Sequence, residues 1–407
     1  MGNSSSASRR RYVAVVAVVA ALLASGCGSS GSANGSTSTG LVARDEATSA
    51  GLFDHTMTHG DDCVGDVNGD GHLDVLLNSH TDRWNLFYGS ATGRFTLAMS
   101  FSLRDRHACV FADFNGDGLP DIYFAIGDCK GKACLNKKEL LIQRPNHTFV
   151  DEAQQWGVTD PQGRGRTAMV VDANGDGRPD LFTGEDIGVE FSGSNKLWIN
   201  EGNHFVLHSG PPTLGIGDVD NCPAAADITH DGLDDIAVCT PAKGFHLYRA
   251  LGNGNYVDDN AAFDLPAWGR LNVRLVDVNH DGWVDFISVS KTVVTVQLNE
   301  HGRFGKPVFT LKTKDAADAA LGDVDGDGNL DLYVAMRGSA QDTLLLGDGT
   351  GRFVPGPSVP DKHGSGESVT VLPRWNNGRD AFIVNNGYET SRGDRQLIAV
   401  YGDRIKK

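Results

Sequence analysis

Nine-residue stretches that begin and end on aspartate recur six times in the chain. They occupy residues 66–74 (DVNGDGHLD), 113–121 (DFNGDGLPD), 172–180 (DANGDGRPD), 227–235 (DITHDGLDD), 277–285 (DVNHDGWVD) and 323–331 (DVDGDGNLD). Each places oxygen-bearing side chains at positions 1, 3, 5 and 9 and glycine at position 6. A hard divalent cation such as calcium takes six to eight oxygen ligands, and a tight loop with this spacing can aim them at one centre. Softer ions prefer thiolate and imidazole donors. His72, His230 and His280 do lie in these loops, but at positions where a backbone group or solvent faces the ion.

The expected ligand sets follow directly, with position 7 acting through its backbone carbonyl. They are Asp66, Asn68, Asp70, His72 and Asp74; Asp113, Asn115, Asp117, Leu119 and Asp121; and Asp172, Asn174, Asp176, Arg178 and Asp180. The later three are Asp227, Thr229, Asp231, Leu233 and Asp235; Asp277, Asn279, Asp281, Trp283 and Asp285; and Asp323, Asp325, Asp327, Asn329 and Asp331. Thr229 is a weaker donor than Asn or Asp, so the fourth loop is expected to lose its ion first. Asp234, at position 8, should point away from the ion. An EF-hand shares the opening of this pattern but closes on Glu at position 12 between helices. Here the closing residue is Asp at position 9, and the flanks read as strands.

Elements that could hold such loops are visible around each one. A short apolar run follows every loop, such as Val75, Leu76 and Leu77, or Leu332, Tyr333 and Val334, and a further strand-like stretch comes later, as at 85–88 and 197–199. Several units then close on Gly-Arg-Phe, at 93–95, 302–304 and 351–353. The first aspartates recur about every fifty residues, a period typical of propellers and solenoids. A worn seventh unit covers 369–401, with residues 374–380 at the loop position and only Gly378 and Asp380 retained. The expected fold is all-β, a seven-bladed β-propeller of four-stranded antiparallel blades. The segment from Leu41 to Ala47 should lend the last blade its outer strand, so that the two ends of the domain close the ring.

These repeats resemble FG-GAP/VCBS repeats, the blades of integrin α-chain heads and of many bacterial secreted proteins. The similarity spans residues 59–407. It implies a seven-bladed propeller with calcium in the first hairpin of several blades, here about six structural Ca²⁺ sites. It does not imply one activity, because the family includes adhesion modules, accessory domains and a few carbohydrate-active enzymes.

The chain begins with an export signal. Arg9, Arg10 and Arg11 precede a short apolar run, and residues 23–27 (LASGC) resemble a bacterial lipobox that would be lipidated on Cys27. The arginines also resemble a twin-arginine signal. Residues 28–40 are almost wholly small and polar, which suits a flexible tether. The expected organisation is therefore an export signal with lipobox at 1–27, a linker at 28–40 and the propeller at 41–407. That places the protein in the cell envelope or at the cell surface, held to the membrane through an N-terminal lipid. No later segment reaches transmembrane length. Six further cysteines suit disulfides in an exported chain. The expected pairs are Cys222–Cys239, flanking the fourth loop, Cys129–Cys134 within an insertion, and Cys63–Cys109 between neighbouring blades.

Charge narrows the partners. There are 52 acidic against 36 basic residues, a formal net of −16. Nucleic acid is excluded, since phosphate binding needs a basic surface. Six bound calcium ions would cancel most of that charge. No nucleophile elbow, phosphate loop or metalloprotease helix is present. His55 and His59 have a spacing that suits a helical metal site, but lie in a Gly- and Thr-rich approach and read as structural. Lys130, Lys132, Lys137 and Lys138 read as a solvated insertion, and most of the six tryptophans as blade packing. The expected function is that of a monomeric, non-catalytic binding or adhesion module for an extracellular protein or glycan. The alternative is a carbohydrate-active enzyme, such as a polysaccharide lyase, on a propeller scaffold.

Overall fold

The computed structural model describes residues 40–403, apart from 53–54, 57–59, 81, 128, 131–132, 135–136, 162, 186–194, 209–222, 241–243, 262, 264–271, 361–364 and 388–392. Its strands form seven antiparallel sheets arranged as blades. Blade one is Cys63–Gly65, Asp74–Leu77, Asn85–Tyr88 and Thr96–Ser100. Blade two is Arg106–Ala112, Asp121–Ile126, Glu139–Gln143 and Phe149–Asp151. Blade three is Gly165–Val171, Asp180–Glu185, Lys196–Asn200 and Phe205–Leu207, and blade four Ala224–Ala226, Asp235–Thr240, Gly244–Gly252 and Asn255–Asp258. Blade five is Asn272–Val276, Asp285–Val289, Val293–Gln297 and Phe309–Lys312, and blade six Ala316–Gly322, Asp331–Met336, Thr343–Gly347 and Phe353–Pro355.

Blade seven is closed by both ends of the domain. Ser368–Asn376, Arg379–Asn385 and Gly393–Tyr401 come from the C-terminal side, and Val42–Asp45 pairs antiparallel along the outside of Gly393–Tyr401, from Val42 opposite Tyr401 to Asp45 opposite Ile398. The expected outer strand is therefore present. Pairing it removes an edge that would otherwise offer unpaired backbone groups to another chain.

The first strand of each blade packs against the first strand of the next from blade one to blade seven, so these strands are innermost. Blade seven meets blade one through Ser368 Oγ, which donates to the Gly60 carbonyl at 2.8 Å, and through Asp62 N, which donates to Thr370 Oγ1 at 3.2 Å. The apolar core divides accordingly. Its seven clusters each lie between two neighbouring blades: Val67, Leu76 and Trp84 of blade one meet Ile122 and Phe124 of blade two, for example. A single twisted sheet cannot bury both faces alone, so each blade depends on its neighbours, as repeat architectures require.

Among the described residues, helix is confined to two single turns, Ala47–Ala50 and Ala153–Trp156. Among the described residues no helix is long and apolar enough to cross a membrane. His55 lies in a two-residue strand, His55–Thr56, that pairs with the last long strand, so the helical spacing considered for His55 and His59 does not arise. His59 lies outside the described residues.

Antiparallel alternation separates the two ends of every blade. The turns between strands one and two and between three and four share one end of the ring. The turns between strands two and three, and the crossings to the next blade, share the other.

Candidate metal loops and the opposite end

All six aspartate loops join strands one and two, so they sit together at one end of the ring. Their internal hydrogen bonds repeat almost without variation. The position-1 carboxylate accepts from the backbone N–H of the position-6 glycine at 2.9, 2.8, 2.9, 3.0, 2.8 and 3.0 Å in loops one to six. The position-5 carboxylate accepts from the position-7 N–H, at 2.9 Å for Asp70 and His72. Backbone φ is positive at position 6 throughout, and also at position 4, where His230 and His280 stand in place of glycine. These two histidines thus serve the turn.

Position 9 is the buried keystone. Asp74, Asp121, Asp180, Asp235, Asp285 and Asp331 are all fully buried. One carboxylate oxygen accepts from the N–H at position 2, as Asp285 does from Val278 at 2.8 Å. The other accepts from the third strand, as Asp285 does from Asn299 at 2.8 Å. Burial raises these carboxyls against the pull of their hydrogen bonds: Asp121, Asp180, Asp235 and Asp285 to about 7, and Asp74 to about 6. Neighbouring loop aspartates add to the rise. Six buried acids, each beside further loop aspartates, form a donor set that a divalent ion would neutralise.

The residues fit calcium by donor chemistry. Among the described residues, Asp323, Asp325 and Asp327 bring one carboxylate oxygen each within 4.8 Å of one another. In loop four, Thr229 Oγ1 is buried without a protein hydrogen-bond partner, an orphaned donor atom at a ligand position. Asp234 points away from its own loop and accepts from Asp172 N at 3.0 Å, so it latches loop three. Loop three departs from the rest. The Arg178 side chain turns back and donates from Nη2 to the position-5 carboxylate of Asp176 at 2.5 Å, setting a protein cation beside that ligand. Sequence reasoning assigned Arg178 only a backbone role.

The worn seventh unit has no nine-residue loop. Its strands meet in a tight turn at Asn377 and Gly378, with Asn376 opposite Arg379. Asp380 is reused as an inter-blade latch, accepting from Asp323 N at 2.9 Å.

A second recurring device was missed in the sequence. Gln143, Asn200 and Asn299, at or just beyond the end of a third strand, each send their amide nitrogen to two carbonyls. One belongs to their own loop and the other to position 2 of the preceding blade's loop. Asn200 Nδ2 reaches Pro179 O at 3.1 Å and Phe114 O at 2.9 Å. Asn299 reaches Val284 O and Ile228 O, both at 3.0 Å, and Gln143 reaches Pro120 O and Val67 O. The signal was available: a polar amide stands at the end of a mostly apolar stretch in each case.

The opposite end carries buried charge. Arg395 and Asp62 are paired at 3.2 Å with neither side chain exposed, joining blades seven and one. Arg274 meets Asp318 at 2.8 Å and Asp61 at 3.2 Å. Arg106 meets Glu139 at 2.7 Å. Lys138, expected in a solvated insertion, is instead 1 % exposed and lies 3.2 Å from both Asp160 and Glu185. It sits one residue before the third strand of blade two, where a side chain turns into the blade interface, and two carboxylates there compensate its burial. Lys137 is exposed as expected. Lys138 and Arg106 are both committed to buried carboxylates.

Cys63 and Cys109 form a disulfide between blades one and two, with Cα atoms 6.1 Å apart. Cys239 is also disulfide-bonded. Cys222 lies outside the described residues, as does Cys27. Cys129 and Cys134 are backbone register partners in a two-stranded hairpin. Trp84, Trp156 and Trp198 are buried between blades, while Trp283 stacks on His230 of the neighbouring loop with ring centroids 3.8 Å apart. Trp268 lies outside the described residues.

Comparison with known proteins agrees with this architecture. A family model described as an FG-GAP-like repeat matches residues 66–124, 227–288 and 277–334. Each match opens on a position-1 aspartate and runs into the second strand of the next blade. Two solved structures share the fold, one titled as BBS1N in complex with ARL6DN, soaked with mercury, and one as the same complex soaked with lead. The first has a TM-score of 0.54 at 13% identity, covering 86% of this chain and 95% of that one. The second has a TM-score of 0.51 at 13% identity, covering 84% and 92%. No curated protein sequence matches the chain.

Proposed function

Because this chain is a propeller of FG-GAP-like repeats, we propose that it is an exported, surface-anchored calcium-binding module that captures a protein or glycan outside the cell. The observation that carries the calcium part is the sixfold repetition of one loop geometry ending on a fully buried aspartate. An active site is normally used once per chain, whereas these loops recur in six blades and each fixes a core hairpin. Calcium therefore acts on structure. The side chains at positions 1, 3, 5 and 9 and the carbonyl at position 7 would hold each ion, and the ion would supply charge neutralisation and a cross-link within the hairpin.

The recognition surface belongs at the other end. The six aspartate loops keep a constant nine-residue form, while the connections at the opposite end vary widely in length between blades. Variable connections on a rigid scaffold are where binding specificity is usually placed. A lipid on Cys27 and the tether at 28–40 would hold that scaffold at the membrane surface with its recognition end free.

The test is a glycan and protein array probed with the purified propeller in calcium and after chelation. The reading expects one ligand class to bind in calcium and to be lost as chelation melts the domain. Substitutions in the connections opposite the loops should abolish binding without altering the calcium content. Depolymerisation of an arrayed polysaccharide would replace this reading with the lyase alternative. Absence of bound calcium at millimolar concentration would overturn it.

A further inference from the structure

We propose that His80, Asp105 and His107 form a binding site for one zinc-class divalent metal ion, separate from the six aspartate loops. The three residues meet at the end of the ring opposite those loops, between blades one and two. His80 follows the second strand of blade one, and Asp105 and His107 flank the start of the inner strand of blade two. Asp105 Oδ1 lies 2.8 Å from His80 Nε2 and 3.2 Å from His107 Nε2. One donor atom from each of the three falls within 4.8 Å of the other two. Around a tetrahedral zinc with bonds near 2.0–2.1 Å, donor atoms stand about 3.3 Å apart. Two of the three donor separations are thus close to that spacing already, and small side-chain rotations would open the centre.

Donor chemistry separates this cluster from the loops. Two imidazoles and one carboxylate suit zinc, cobalt, nickel or copper, whereas calcium takes oxygen alone. The surroundings are shaped to keep the space clear. A Cβ on Gly127 would fall 2.4 Å from His107 Nε2 and 3.1 Å from Asp105 Oδ2, so only glycine leaves room there. Gly127 also donates from its backbone N–H to the Asp105 carbonyl at 2.8 Å, and Asn78 Nδ2 donates to the His107 carbonyl at 3.2 Å. The disulfide between Cys63 and Cys109 ties the two blades together two residues beyond His107.

His107 is buried, but the His80 and Asp105 side chains keep 18% and 29% exposure. An ion held by three protein donors would therefore keep a fourth position open to solvent, the arrangement that admits water or an external ligand. One group opposes a cation here. Arg166 Nη1 lies 3.0 Å from His107 Nδ1 and 2.7 Å from Nε2. A single nitrogen cannot lie along both in-plane lone pairs of one ring, so the guanidinium stands over the ring face. It stands within hydrogen-bond distance of the Nε2 that would bind the ion, so it must give way to the cation, and it raises the local positive potential.

The experiment uses the full propeller without a histidine tag, in millimolar calcium so that the loops are saturated, titrated with Co²⁺. One equivalent should bind and give the visible absorption of a low-coordinate, nitrogen-containing site, and Zn²⁺ should displace it. His80→Gln and Asp105→Asn, both at partly exposed positions, should each weaken binding by about a hundredfold or more. Arg166→Gln should tighten it, and His204→Gln, on an exposed turn of blade three, should leave it unchanged. Melting curves in calcium show whether each variant is folded. Absence of stoichiometric Co²⁺ binding, or binding that survives both His80→Gln and Asp105→Asn, would overturn the assignment.

Discussion

Removing calcium should melt this protein, and the size of the effect can be worked from the loops. A ligand present at a hundred times its dissociation constant stabilises a site by about 2.7 kcal/mol. Six such loops acting independently sum to roughly 16 kcal/mol, as large as the whole stability of a typical domain, about 5–15 kcal/mol. A propeller domain of about 360 residues unfolds with an entropy near 0.76 kcal/mol per kelvin. Full chelation should then lower the melting temperature by about 20 °C, and loss of one site through Asp281→Ala by about 4 °C. The pH dependence carries a second signature. Burial holds Asp121, Asp180, Asp235 and Asp285 up to about 7 in the folded chain. An unfolded aspartate titrates near 3.9, so between about pH 4 and 7 the native state binds more protons. In chelator, stability should fall as pH rises through that window and level off above 7. In calcium the same carboxylates must ionise to bind the metal, so the calcium increment shrinks below pH 7. Scanning calorimetry at pH 5 and pH 8, with calcium and with chelator, should show a gap that widens with pH. A chelator-insensitive melting curve, or a gap equal at both pH values, would refute the reasoning.

Three further expectations use other parts of the ring. Asn200→Ala removes a buried amide that donates to Phe114 O and Pro179 O and accepts from Gly202 N at 2.8 Å; it should cost roughly 2–4 kcal/mol, seen as a fall of about 3–5 °C, and a double mutant with Asp117→Ala should be non-additive because the two share loop two. Arg178→Gln frees the Asp176 carboxylate, so calcium titration should find the third loop strengthened to match the others, while unchanged stoichiometry and affinity would show that Arg178 simply swings aside. Replacing Cys63 and Cys109 together by serine opens a link across 46 residues of sequence, which should cost about 2–4 kcal/mol of stability by thermal melting and leave calcium stoichiometry intact.

Much of the fold was legible because the repeat carries its own punctuation. Asp, Asn and Gly at fixed offsets mark a turn that few other residues tolerate, and the buried residue at position 2, Val67 in the first loop and Val324 in the sixth, belongs to the same pattern. The apolar run after each loop marked the strand that follows it, and the resemblance to FG-GAP/VCBS repeats implied its place in the first hairpin. Asp45, whose carboxylate accepts from Leu397 N at 3.0 Å, belongs to a strand that sequence reasoning reached only by asking how the ring must close. What was not legible is pairing between distant residues. Arg395 and Asp62 sit at opposite ends of the chain, and nothing local marks either as buried. Lys138 looked solvated beside Lys137 because sequence neighbours do not show that one side chain turns inward. His80 and His107 belong to different blades and share no spacing rule, so their meeting at Asp105 follows only from the three-dimensional arrangement. Arg178 was misjudged for a related reason: position 7 was read through its backbone, and its side chain found a carboxylate two residues back.

The two ends of the ring are held by different physics, and this bears on how calcium could govern a binding surface far from it. At the loop end, neighbouring blades are joined through the loops themselves. Gln143, Asn200 and Asn299 bridge position-2 carbonyls to the next blade, and Asp234 and Asp380 latch onto the position-1 N–H groups of Asp172 and Asp323. An ion that fixes one loop therefore also fixes the acceptor or donor used by its neighbour. At the other end, blades are joined by ion pairs such as Arg395–Asp62 and Arg274–Asp318, whose partners must arrive in register because a buried charge left unpaired is strongly destabilising. Each blade is one sheet that reaches both ends of the ring, so a tilt set at the loop end would carry to these ion pairs. A metal-depleted ring would lose its inter-blade staples first and then face the cost of misaligned buried charge. Under the proposed function, calcium would control recognition without touching the ligand, by setting whether the seven blades present one rigid surface.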